Sequence, residues 1–112
     1  MTAHPNETVA AMPEGAFALI AELRAKPGRE DELRALTALL VAPARAEPDT
    51  LAFFLHENLD APGHFILYEV YTNRAAHAAH VAQARVQAWF ARLPELTEGG
   101  VRVVHLGFVG LR

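Results

Sequence analysis

Residues 50–71, TLAFFLHENLDAPGHFILYEVY, decide the fold. Thr50 to Asn58 is rich in β-branched, aromatic and large apolar residues, which suit a pleated surface. His64 to Tyr71 alternates, with Phe65, Leu67, Glu69 and Tyr71 on one side and Ile66, Tyr68 and Val70 on the other. Asp60-Ala61-Pro62-Gly63 between them is turn chemistry, so the pair predicts a β-hairpin. Both sides of the hairpin carry large apolar groups, and Phe53 and Phe54 repeat this on the other strand.

Towards the N-terminus, Ala16 to Lys26 has period two and reads as a strand closed by Pro27-Gly28. Arg29 to about Ala46 reads as an amphipathic helix, with Leu33, Leu36 and Leu40 on one face. Glu30, Asp31 and Glu32 lie in its first turn, where the helix dipole favours acids. Pro43 kinks or ends it, and Glu47-Pro48-Asp49 is a second breaker. Beyond the hairpin, Thr72 or Asn73 caps an alanine-rich helix from Arg74 towards Leu93, with a break near Gln83 to Arg85. Leu93-Pro94 and Gly99-Gly100 close that helix, and Val101 to Val109 forms a last strand.

The order β-α-β-β-α-β is a ferredoxin-like α+β fold, two helices on one face of a four-stranded antiparallel sheet. Two helices cover one face only. The other face would leave a large apolar patch in water, and a two-fold homodimer is the simplest cover. The alternative is a monomer with scattered exposed hydrophobics.

The 112 residues suit one domain, 16–112, preceded by a tail, 1–15, expected to be flexible. Half the residues are hydrophobic, and there are no cysteines for disulfides, thiolate nucleophiles or Cys-based metal sites. A net charge of -3 without a basic stripe argues against nucleic acid as partner. No apolar run approaches the roughly 20 residues of a membrane span. The N-terminus lacks the pattern of a secretory signal, so the expected location is cytoplasmic.

Three stretches resemble the antibiotic biosynthesis monooxygenase family. They are the strand ending Ala25-Lys26-Pro27-Gly28-Arg29-Glu30, the run Ala44-Arg45-Ala46-Glu47-Pro48-Asp49-Thr50-Leu51-Ala52-Phe53, and the block Phe65 to Tyr71 followed by Ala75 and His80. The likeness spans about residues 16 to 109 and departs from the family pattern at Phe53, Tyr71 and Asp49, where tyrosine, tryptophan and glycine are usual. It implies a dimeric α+β barrel with a pocket between each sheet and its helices. Among relatives of known activity are cofactor-independent enzymes that oxidise phenols and quinols with molecular oxygen, haem-degrading proteins, and isomerases of small sugar-like signals. The haem branch's asparagine, tryptophan and histidine would fall near Ala21, His80 and Phe90, and none of the types matches.

The expected activity is therefore a monooxygenase acting on a small phenolic or quinol-type substrate with molecular oxygen and no cofactor. A proton-transferring isomerase and a non-catalytic dimer that binds a small ligand are the alternatives. His80, among small alanines on the sheet-facing row, is the candidate base, since imidazole titrates near neutrality. Its alternative is a structural histidine bonded to a strand. Glu69 is expected to orient His80, or else to pair with an arginine such as Arg74 or Arg85. Tyr71 is a candidate hydrogen-bond donor to substrate, or a rim residue. Trp89 and Phe90 are expected to form an aromatic wall or plain core, with Leu67 and Phe53 beside them. His56 is a further pocket candidate, although its parity, opposite to Phe53 and Leu55, points it rather to the dimer interface. His77 and His80 invite a metal reading with His56, His64 or His105, but their directions converge only in part, and no metal is expected.

Overall fold

The computed structural model describes residues 12–109. Tail residues 1–11 and the last three residues of the expected domain lie outside it. The elements run β1 (Phe17–Ala25), α1 (Glu30–Ala38), α2 (Val41–Arg45), β2 (Thr50–Glu57), β3 (His64–Tyr71), α3 (Arg74–Val81), α4 (Ala84–Leu96) and β4 (Thr97–Leu106). The four strands form one antiparallel sheet in the order β2-β3-β1-β4, the ferredoxin-like arrangement that the alternation implied.

Each expected helix is in fact two. The first breaks at Leu39-Leu40, a turn before Pro43. A proline lacks the N–H that would reach back to the carbonyl at Leu39, and its ring crowds that carbonyl, so the helix gives way there and restarts with Pro43 in its new first turn. Leu40 is buried by the turn, while Leu39 swings out to 71% exposure. The second breaks at Gln83, whose backbone is extended, and then passes through Pro94 to Leu96 rather than stopping at Leu93. Strand β4 likewise begins before the glycine pair. Gly99 and Gly100 both hold positive φ (84° and 74°), and the register with β1 shifts there. They form a bulge within the strand, not a terminator.

The inner sheet face carries Phe17, Leu19, Ala21 and Leu23 from β1 and Phe65, Leu67 and Tyr71 from β3, all buried under the helices. Helix α4 contributes Val86, Trp89, Leu93 and Leu96, spaced to share one stripe. Trp89 Nε1–H donates to Thr37 Oγ1 (3.1 Å), which ties α4 to α1 through a buried bond. The outer face is not covered by any helix of the described residues. Phe54, Tyr68, Ile20 and Val104 stand in register as one apolar row across all four strands, and Phe54 and Val104 remain more than two-fifths exposed.

Candidate active site

Helix α3 starts where Asn73 accepts the Ala76 N–H on its side-chain oxygen (2.8 Å). That cap sets the helix phase, and one face then lowers two imidazoles onto the sheet. The His77 ring lies 5.2 Å from Tyr71 and 5.4 Å from Phe17. The His80 ring lies 5.5 Å from Phe53 and 5.7 Å from Tyr71, and His80 is buried.

The group that orients His80 is Glu47, not Glu69. Glu47 sits in the turn between α2 and β2, and its Oε1 accepts from His80 Nδ1 (3.1 Å) and from Arg85 Nη2. A carboxylate only accepts, so the proton of a neutral His80 ring resides on Nδ1, and Nε2 keeps its lone pair. Arg85 therefore pairs with Glu47 rather than Glu69, and Arg74 stacks on Phe17 instead.

Glu69 is buried on the inner face, where its Oε1 accepts from the Tyr71 hydroxyl (2.5 Å). Burial pushes its carboxyl above the usual range, opposed by the Tyr71 hydrogen bond and by His80. The Tyr71 hydroxyl is itself raised, first by burial and then by the neighbouring Glu69 charge. Burial also lowers His77, with His80 and His105 adding to the effect.

A cavity of about 250 Å³ lies between the inner sheet face and helices α3 and α4. Of the expected residues, Phe53, Leu67, Glu69, His80, Trp89 and Phe90 line it. Tyr71 does not: it is fully buried beneath, and its hydroxyl is committed to Glu69. His56 is exposed on the outer face with its Nδ1 against the Ile66 carbonyl (3.1 Å), so it takes no part in this cavity. Strand alternation explains this, because His56 has the parity opposite to Phe53. His77 and His105 join the wall at the β4 side. Among the described residues, no three histidine or acidic side chains are grouped to hold a metal. No helix among them is long and apolar enough to cross a membrane.

The antiparallel sheet, with an apolar, imidazole-bearing hollow beneath its helices, defines an α+β protein of the ferredoxin-like class. The profile of the family described as antibiotic biosynthesis monooxygenase matches residues 16–92, and the chain belongs to that family. Among solved structures it is similar to Rv0793 from Mycobacterium tuberculosis (30% identity, TM-score 0.79, covering 84% of this chain and 95% of that one). It is similar also to PA3566 from Pseudomonas aeruginosa (29%, 0.78, 86% and 96%). A third similar structure bears the name antibiotic biosynthesis monooxygenase (29%, 0.77, 83% and 98%). A curated relative, the uncharacterized protein sll1783 of Synechocystis, is 25% identical over 95 residues, which cover 82% of this chain and 65% of that protein.

Proposed function

We propose that the protein is a cofactor-independent monooxygenase that oxidises a small phenol or quinol with molecular oxygen, working as a homodimer. The observation that carries this reading is His80, held by Glu47 at Nδ1 on the wall of an otherwise apolar and aromatic cavity. Membership of the family, and a structural relative named as a monooxygenase, support the class of reaction.

In this scheme Trp89, Phe90, Phe53 and Leu67 hold the ring of the substrate and exclude water. His80 Nε2 removes a phenolic proton. The electron-rich anion then reacts directly with oxygen: one oxygen atom forms a bond to ring carbon, the other leaves as water, and a quinol becomes a hydroxyquinone. Glu69, whose carboxyl burial pushes above its ordinary range, lies on the same wall and would pass a proton to the reduced oxygen. Tyr71 acts through Glu69, which it holds in place.

The dimer would form through the outer face, where the row Phe54, Tyr68, Ile20 and Val104 needs a partner and the two-fold copy supplies the same row. That closes two sheets into an α+β barrel.

The test is oxygen uptake by the purified, metal-free protein with a panel of hydroquinones and anthrones. Uptake above a His80→Ala control is expected for at least one member; equal rates across the panel would contradict the proposal. The Glu69 and His80 pair on one wall also favours a second reading, a proton-transferring isomerase. Turnover that persists under strict anaerobiosis would select it.

A further inference from the structure

The cavity wall is not uniform along the sheet. Glu69 faces Leu19 on β1, and Leu19 faces His105 on β4, so Glu69 and His105 stand two strands, roughly 10 Å, apart. At the His105 side the cavity meets a second depression of about 360 Å³ on the rim, and His105 lines both. Phe17, Arg74 and Gly107 are among the other residues of that rim.

The formally charged side chain lining this rim is an arginine, Arg74, in a chain whose net charge is -3. Arg74 opens α3 with its guanidinium 4.5 Å over the Phe17 ring. The Phe17 ring also meets the His77 and His105 imidazoles, at 5.4 and 5.2 Å. A guanidinium stacked by its face keeps its N–H edges free for a planar, two-oxygen acceptor. Among the described residues, Arg74 enters none of the ion pairs. Glu14, next to the rim's Gly15, stands exposed in solvent.

We propose that the ligand of this site is an aromatic acid, its ring in the cavity and its carboxylate held at the rim by Arg74 and His105. This deepens the reading above and rests on it, since it takes the cavity to be the substrate site. A carboxylate placed there also fixes which ring edge faces His80, which lines the cavity but not the rim. It therefore orients the substrate as well as binding it.

The chain has a single tryptophan, Trp89, on the cavity wall, so its emission reports occupancy directly. The probes are 2-naphthoate and its neutral methyl ester, whose rings can accept energy from an excited indole. The acid is expected to quench Trp89 with a dissociation constant about tenfold below that of the ester, the scale of one charge-assisted hydrogen bond. Arg74→Gln, an exposed position, is expected to abolish that preference and leave the ester's affinity unchanged. Equal affinity of acid and ester, or a preference that survives Arg74→Gln, would overturn the assignment while leaving the cavity reading intact. Quenching by neither probe would overturn both.

Discussion

Replacing Tyr71 with phenylalanine deletes one buried hydroxyl and the hydrogen bond it gives to Glu69 at 2.5 Å. The cost depends on what Glu69 is. Opposite a neutral carboxyl the lost bond is worth about 1 kcal/mol; opposite a carboxylate it is worth about 2 to 3 kcal/mol. Burial raises the folded-state titration of Glu69 above its unfolded value. The folded chain therefore binds the extra proton between those two values, and wild-type stability falls as pH rises through that window. The Tyr71 bond favours the charged form and limits this loss. Tyr71→Phe removes the limit, so its destabilisation grows with pH, from about 1 kcal/mol near pH 4.5 to about 2 to 3 kcal/mol above the titration of Glu69. Urea unfolding at fixed protein concentration, followed by circular dichroism across that range, measures it. Glu69→Gln should flatten the wild-type slope and remove the pH dependence of Tyr71→Phe. A cost that stays constant or shrinks as pH rises would refute the assignment of Glu69 as a buried, tyrosine-held carboxyl.

Ile20→Glu places a charge in the middle of the outer apolar row, and light scattering is expected to give a dimer mass for the wild type and a monomer mass for the variant; equal masses would refute the proposed interface. Gly63 has φ +86°, and an added Cβ would come within 2.9 Å of Glu30 Cγ. Gly63→Ala should therefore cost about 1 to 2 kcal/mol in urea unfolding, the price of a left-handed residue with a side chain. His77 titrates below its ordinary value because of burial, so it favours the folded state above the unfolded histidine range, and that contribution is lost as pH falls towards its folded value. His77→Gln should lessen the loss of stability as pH falls below about 6.5, and proton NMR of the ring should place its midpoint below that of an exposed histidine.

Strand existence and facing were legible in the sequence wherever one side chain in two is buried, as with Leu19, Ala21 and Leu23 or Phe65 and Leu67. Element ends were less so. The break at Leu39-Leu40 lies four residues ahead of the proline that causes it, and the bulge at Gly99-Gly100 imitates a stop signal until its pairing with β1 is known. The candidate site divided in the same way. Residues that line the cavity by strand parity or helix phase, Phe53, Leu67, Glu69, His80 and Trp89, could be chosen from periodicity. The partner of His80 could not, because Glu47 is 33 residues away and reaches it only through the fold. One local signal pointed to it: Glu47 follows the C-terminal end of α2, where the helix dipole disfavours an acid, so a cationic or donor partner was to be sought. His56 went astray for the opposite reason, since its parity already assigned it to the outer face.

The most direct test of the catalytic account is isotopic. Purified protein, freed of metal and given a hydroquinone it turns over under labelled oxygen gas, should yield a hydroxyquinone in which a single heavy oxygen atom is bound to ring carbon, as read by mass spectrometry, and His80→Ala should lose that product. Product formed at the usual rate with oxygen derived only from water, or labelled product undiminished in His80→Ala, would contradict it.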